Sequence, residues 1–182
     1  TFPVDVKATI ESMVIDSHFA YLLTNQEIIK TSLDNDNFQQ SFEVPQTTGD
    51  KFLSIFENNN DTNYVFTGFT SSPEIGILIN NHDNECHFDG IKTRYRGISS
   101  ITSLGTDKLV CGVPLSGTPR LVNFEGKEIR AFVGHCGSVL SLSSLMSNDD
   151  NYLFASRADD NTVRVWDIRD RLSVYQITSS SG

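Results

Sequence analysis

Long apolar runs are missing from this chain. Nothing approaches the ~18 consecutive apolar residues of a membrane-spanning helix, and no secretory leader opens it. The first residue is Thr1 rather than Met, so the start reads as the cut edge of a longer protein. Positive charge is scarce: 14 Lys and Arg stand against 23 Asp and Glu, a formal net charge of −9. A chain of that sign repels phosphate backbones and anionic lipid surfaces, so no direct nucleic-acid partner and no membrane insertion are expected. A basic protein partner fits the charge. Only three cysteines occur, Cys86, Cys111 and Cys136, an odd number at wide spacing. That argues against a disulfide-stapled secreted domain and for a reducing intracellular compartment, cytoplasmic or nuclear. The Asn60-Asp61-Thr62 sequon goes unused there. A sustained helical period with caps at both ends is absent as well.

What is present is a repeat. The runs Tyr21-Leu22-Leu23-Thr24, Tyr64-Val65-Phe66-Thr67, Lys108-Leu109-Val110-Cys111 and Tyr152-Leu153-Phe154-Ala155 begin 43, 44 and 44 residues apart. A strand-like stretch precedes each: Thr9 to Ile15, Phe52 to Phe56, Ile98 to Leu104 and Val139 to Leu145. A third stretch follows: Glu27 to Thr31, Glu74 to Ile79, Pro119 to Phe124 and Thr162 to Ile168. A fourth closes the period: Phe38 to Val44, Glu85 to Ile91, Glu128 to Val133 and Ser173 to Thr178. The stretches are rich in β-branched and aromatic residues, and Gly and Asn punctuate the joints. Four-strand units recurring every ~40–45 residues predict an all-β chain of propeller blades. The blades are expected at about 1–45, 46–91, 92–135 and 136–178, with 179–182 a flexible end.

The last period carries a specific motif. Gly134-His135 stands between a fourth strand and the next first strand, and Asp159-Asp160-Asn161 forms a turn before Trp166-Asp167. This resembles the WD40 repeat, with its Gly-His, its tight Asp turn and its closing Trp-Asp. The resemblance implies a structural chain from the turn aspartate to the histidine, a strand hydroxyl and the indole. By position these roles fall to Asp160, His135, Ala158 and Trp166, with Gly134 and Asp167 completing the motif. Ala158 has no hydroxyl, so a direct His135–Asp160 contact or a water bridge is expected instead. The polar insert Asn148-Asp149-Asp150-Asn151 stretches the interval. The first three periods are degenerate, with Thr31, Leu78 and Val122 at the tryptophan position. WD40 rings more often use seven blades. About four blades of four antiparallel strands are therefore expected to be part of a larger ring, with the remaining blades from the parent chain or a partner.

The resemblance implies a protein–protein interaction scaffold in a multiprotein complex. Arg157 and Asp159, beside the Asp160 turn, are the candidates to face a partner. The alternative is a propeller enzyme using acidic residues around the central channel, but no paired carboxylates on matched strands mark it. His135 and Asp160 with Ser156 could be read as a nucleophilic set. The motif already accounts for the first two, and no nucleophile-elbow sequence surrounds Ser156. His82, Asp83, Glu85, Cys86, His87 and Asp89 crowd one segment without completing a zinc-ligand spacing. Asp34-Asn35-Asp36-Asn37 and 58–61 lack the glycine and closing glutamate of a calcium loop. Arg94-Tyr95-Arg96 reads as a surface face, and Gly112 to Gly117 as a turn without the Lys-Ser/Thr of a phosphate loop. No metal and no cofactor are expected.

Overall fold

The computed structural model describes residues 9–34, 38–44, 51–57, 63–80, 86–105, 107–144 and 152–179. The Asn60 sequon, the centres of both calcium-like loops, the insert at 148–151 and residues 180–182 lie outside the described residues, as does Thr1. Among the described residues there is no helix. The first sheet holds β1 (Ser12–Ile15), β2 (Phe19–Leu23), β3 (Glu27–Ser32) and β4 (Gln39–Glu43). The second holds β5 (Lys51–Glu57), β6 (Asn63–Phe69), β7 (Glu74–Asn80) and β8 (Cys86–Lys92). The third holds β9 (Ser100–Leu104), β10 (Lys108–Gly112), β11 (Arg120–Asn123) and β12 (Glu128–Ala131). The fourth holds β13 (Val139–Ser144), β14 (Leu153–Ala158), β15 (Thr162–Asp167) and β16 (Ser173–Thr178). All sixteen expected strands are present, with ends displaced by at most three residues.

Within each sheet the strands pair antiparallel in chain order, so every connection is a hairpin. The inner strands β1, β5, β9 and β13 lie side by side in that order. The four sheets are therefore blades arranged around one axis. No packing of that extent returns from β13 to β1 among the described residues.

Alternation decides how the blades meet. Side chains on successive strand residues point to opposite faces, so each blade has one face for the blade before it and one for the blade after. Val65 and Leu78 are cross-strand partners in blade 2, and both pack with Tyr21, Leu23 and Ile28 of blade 1. In blade 3, the pair Leu109 and Val122 packs with Phe66, Ile75 and Ile77 of blade 2. In blade 4, the pair Phe154 and Trp166 packs with Leu104, Val110, Leu121 and Phe132. Leu78 and Val122 thus hold the face that Trp166 holds in blade 4. In blade 1, Thr31 pairs with Ala20.

The two end blades each keep one face without a described neighbour. On blade 4, Val163 pairs with Ile177 and Val165 with Tyr175, and those two β16 side chains are 63% and 68% exposed. On blade 1, Met13 and Ile15 are exposed on β1.

If the junctions carry the stability, the buried junction residue Leu109 should matter far more than the exposed Leu140. Leu109→Ala is expected to cost about 2–5 kcal/mol and Leu140→Ser less than about 0.5 kcal/mol. Urea unfolding of the two variants reads the difference. Equal losses would remove the junction as the source of stability.

Candidate functional site

The polar centre of the molecule lies where blade 3 hands over to blade 4. The turn between β14 and β15 is built by Asp160, whose Oδ1 accepts the Thr162 N–H at 3.0 Å and the Thr162 hydroxyl at 2.7 Å. Asn161 takes a left-handed φ of 60°, which asparagine tolerates. The other carboxylate oxygen accepts the Cys136 N–H at 2.9 Å and lies 3.1 Å from His135 Nδ1. One side chain therefore ties the hairpin to the loop between β12 and β13.

His135 continues the chain inward. Its Nε2 is 2.7 Å from Ser156 Oγ, which also accepts the Trp166 indole N–H at 2.7 Å. Only the neutral tautomer with hydrogen on Nδ1 satisfies every atom. The indole donates to Ser156, Ser156 donates to Nε2, and Nδ1–H points into the Asp160–Thr162 pair, 2.8 Å from the Thr162 hydroxyl oxygen and 3.1 Å from Asp160. The reversed tautomer would turn a lone pair toward the carboxylate and leave the serine proton without its histidine acceptor.

This corrects the sequence expectation for the hydroxyl. Ala158 lies on the same face of β14 as Ser156 but two residues nearer the turn, opposite Val139. Ser156 lies two residues deeper, beneath the indole, and pairs with Arg164. The chain from Asp160 to Trp166 is thus complete, and the direct His135–Asp160 contact is one link in it.

Apolar contacts seal the inner end. Trp166 is fully buried. Phe132 and Phe154 lie with ring centroids 5.7 and 6.2 Å from it, and His135 meets it edge-on at 6.1 Å. Gly134 has no room for a side chain: a Cβ would stand 2.8 Å from Arg164 Nη1 and 2.9 Å from Trp166 Cη2. Asp167 turns the chain out of β15. It accepts from Arg169 Nη2 at 2.6 Å and from the Arg169 backbone N–H at 2.9 Å, while that guanidinium lies 4.4 Å over Tyr152. From the outer strand of blade 3, Arg130 donates to the carbonyls of Ile168 and Asp170 at 2.7 and 3.1 Å. Thr162, Arg130 and Arg169 were not singled out from the sequence, and Ser156 was weighed there as a nucleophile rather than as the hydroxyl of this chain. Thr162 stands two residues after the turn aspartate, and Ser156 alternates with Phe154 and Ala158, so those two were accessible to pattern. The Arg130 contact spans 38 residues and was not.

Partial burial pushes the Asp160 carboxyl up. The Thr162 hydroxyl, the Cys136 and Thr162 N–H groups and His135 outweigh it and hold the group well below the usual carboxylate range. The bidentate Arg169 guanidinium lowers Asp167, against a smaller effect of burial.

Arg157 and Asp159 are exposed beside this network. The Asp159 N–H donates to the Ser138 carbonyl at 3.0 Å, and its carboxylate lies over Gly137, where no Cβ fits. The Arg94-Tyr95-Arg96 segment is partly engaged: Arg94 and the Tyr95 hydroxyl reach Glu128 at 2.7 and 2.5 Å, with Arg120 at 3.4 Å. Cys111 is buried, which pushes its thiol up to about 12, and Cys136 is exposed. Among the described residues no group of three or more His, Cys, Asp or Glu could hold a metal. His82, Asp83 and Glu85, with the side chains of Cys86 and His87, lie outside them.

The WD40 family profile, described as WD domain, G-beta repeat, matches residues 126–167. The chain carries a WD40 repeat. The matched segment opens at the turn before β12, the outer strand of blade 3, and closes with β15 of blade 4. One WD40 repeat therefore spans a blade junction.

Ribosome biogenesis protein YTM1 of Candida albicans is 38% identical over 64 residues, covering 35% of this chain and 13% of that protein. The protein of the same name from Scheffersomyces stipitis is 42% identical over 64 residues, again 35% and 13%. That of Debaryomyces hansenii is 33% identical over 101 residues, 48% and 20%. The chain thus covers at most one fifth of the length of these relatives. In fold it is similar to the computationally designed Ika4 protein, with a TM-score of 0.64 at 15% identity over 90% of this chain and 94% of that one.

Two outcomes test the network. Trp166→Ala is expected to cost about 3–5 kcal/mol by opening a cavity. An unchanged melting curve would show that the indole holds nothing. Asp160 is held below the ~3.9 of an unfolded aspartate, so the folded state binds fewer protons. Its stabilisation is complete above that value and is lost as pH falls through the lower folded one. Urea midpoints of wild type and Asp160→Asn should therefore converge as pH is lowered from neutral toward 2. A constant gap would contradict the linkage.

Proposed function

We propose that the chain is a protein-interaction scaffold within a multiprotein complex, and that this complex acts in ribosome biogenesis. The WD40 repeat at residues 126–167 supports the scaffold reading, and the ribosome biogenesis relatives supply the process. We read 1–178 as a continuous run of blades, at about 1–45, 46–91, 92–135 and 136–178. The exposed apolar side chains of β1 and β16 are covered by further blades, from the parent chain or a partner. Gly134, His135, Asp160, Trp166 and Asp167 hold the last junction, while Arg157 and Asp159 face outward to a partner. The net charge of −9 favours protein contacts over direct contact with RNA. Ribosome assembly begins in the nucleus, so of the two intracellular compartments the relatives favour the nuclear one.

Ser156, His135 and Asp160 have the connectivity of a nucleophilic triad, but the site offers no path for chemistry. Ser156 is 1% exposed, and its oxygen is already an acceptor for the Trp166 indole. No water or substrate can reach it without dismantling the junction.

Affinity capture with the parent protein as bait tests the reading. Stoichiometric ribosome-assembly proteins are expected, with the direct partner retained after RNase digestion and lost with the Trp166→Ala bait. A folded bait that sediments free of pre-ribosomal particles and retains no protein would overturn it.

A further inference from the structure

The net charge of −9 is distributed unevenly. Residues 1–91 hold 3 Lys and Arg against 14 Asp and Glu, whereas residues 92–182 hold 11 against 9. Half of the chain's basic residues, 7 of 14, fall in 92–130, where 3 acids accompany them. Blade 3 and the segment that leads into it are therefore basic on an acidic molecule.

Five of those seven gather at the outer edge of blade 3. Glu128 of β12 is their centre. It receives Arg94 at 2.7 Å, the Tyr95 hydroxyl at 2.5 Å and Arg120 at 3.4 Å, so one carboxylate serves two guanidiniums. Arg120 Nε is buried without an acceptor among the described residues, and the Arg94 side chain is 68% exposed. Lys127 is exposed next to Glu128, and the turn before it packs so closely on the Lys92 carbonyl that Gly126 has no room for a Cβ. Arg130 follows on β12 and donates through Nη1 to the carbonyls of Ile168 and Asp170. The acids at the margin are Glu74, 3.7 Å from Lys92, and Glu125, which bonds Asn123. Five cations thus share three carboxylates, and an arginine N–H left without an acceptor is a cost that an added anion relieves.

We propose that this edge binds an extended segment of a protein partner rich in Asp and Glu, with its carboxylates on Arg94, Lys127 and Arg130. Glu128 already shows that the arginines accept a carboxylate. Arginine at such a contact gives directed pairing as well as charge. Between the two arginine groups β12 exposes Ile129, which suits an aliphatic side chain of that segment and offers nothing to a phosphate. Single-stranded RNA would need rings for its bases. The aromatic ring in the cluster, Tyr95, is half-buried, tied to Glu128 and 6.0 Å from the Arg94 guanidinium. An RNA strand running on over blades 1 and 2 would also meet their excess of carboxylates. This rests on the scaffold reading and adds to it the chemistry of one partner.

Fluorescence anisotropy with the full parent protein tests it. The probe is a labelled twelve-residue peptide of four Glu-Glu-Leu units, beside the matching Gln-Gln-Leu peptide and a twelve-nucleotide oligouridylate. The glutamate peptide should bind, and more weakly as salt rises. Arg94→Gln with Lys127→Gln should weaken it about tenfold at an unchanged melting temperature. Lys108→Gln with Arg157→Gln removes equal charge elsewhere and should change it less than about twofold. No binding of the glutamate peptide, equal binding of the glutamine one, or equal losses in the two double variants overturns the edge. Oligouridylate that binds as tightly, and with the same loss in the Arg94→Gln, Lys127→Gln variant, makes the edge an RNA contact and overturns the acidic segment. Each of these leaves the scaffold standing while the parent protein still captures ribosome-assembly proteins. A parent protein that captures none removes both readings.

Discussion

Each sheet in this fold is apolar on both faces, and no four-stranded sheet can cover both faces with its own hairpins. Blade 2 presents Val65 and Leu78 to one neighbour, and Phe66, Ile75 and Ile77 to the other. Blade 3 does the same with Leu109 and Val122 against Val110 and Leu121. Stability is then a nearest-neighbour property, as in other repeat architectures. The same constraint makes the ends of the run different in kind from its middle. Tyr175 and Ile177 on blade 4, and Met13 and Ile15 on blade 1, have the chemistry of junction residues and the exposure of surface ones. Scattered surface leucines need no explanation, but apolar rows at matching positions of two end blades are the two halves of one kind of contact.

Apolar packing alone leaves register weakly specified, because valine, leucine and isoleucine fill one another's places at modest cost. The junction between blades 3 and 4 adds a chain of side-chain hydrogen bonds that ends on a buried indole. From Asp160 through His135 and Ser156 to Trp166, successive partners lie within 2.7 to 3.1 Å, with the Thr162 hydroxyl beside His135 Nδ1 at 2.8 Å. A shift of one residue in β14 would place Ala155 or Arg157 under the indole and strand the histidine. A one-residue shift also turns every side chain of a strand to the wrong face. The network therefore selects one pairing, while the aromatic cluster of Phe132, Phe154 and Trp166 supplies apolar burial. Where Leu78 and Val122 stand in place of the tryptophan, burial has to do both jobs.

The class of fold and the strand count were legible because periodicity and turn residues are local signals. Strand ends were less so: β12 stops at Ala131, short of the expected Val133, because the next residue opposite is Pro119, which accepts the Phe132 N–H but has no N–H to return. The motif residues were legible by resemblance, but the hydroxyl was misplaced at Ala158. Counting back from a turn fixes the face of a strand and not the depth. Depth is set by which side chain the histidine can reach, and that depends on a loop 21 residues earlier, at His135. The Arg130 contact to Ile168 and the left-handed backbone of Leu115 had no sequence signal, since each depends on a relation between segments or a dihedral angle.

Three residue types that cleave esters and amides in other proteins are aligned here in a different physical setting. A nucleophilic serine needs a free lone pair directed at substrate, a proton path to histidine and an approach for a carbonyl carbon. Ser156 has the path, at 2.7 Å from Nε2, but it is buried under the indole whose N–H it accepts, and the junction closes over it. Activating the hydroxyl would require breaking the Trp166 bond and opening blade 3 from blade 4. The Asp160 carboxylate points the same way. Besides His135, its oxygens accept from the Thr162 hydroxyl and two backbone N–H groups, which fix the loops. Chemistry that in an open cleft would move protons serves here to hold two sheets in one register.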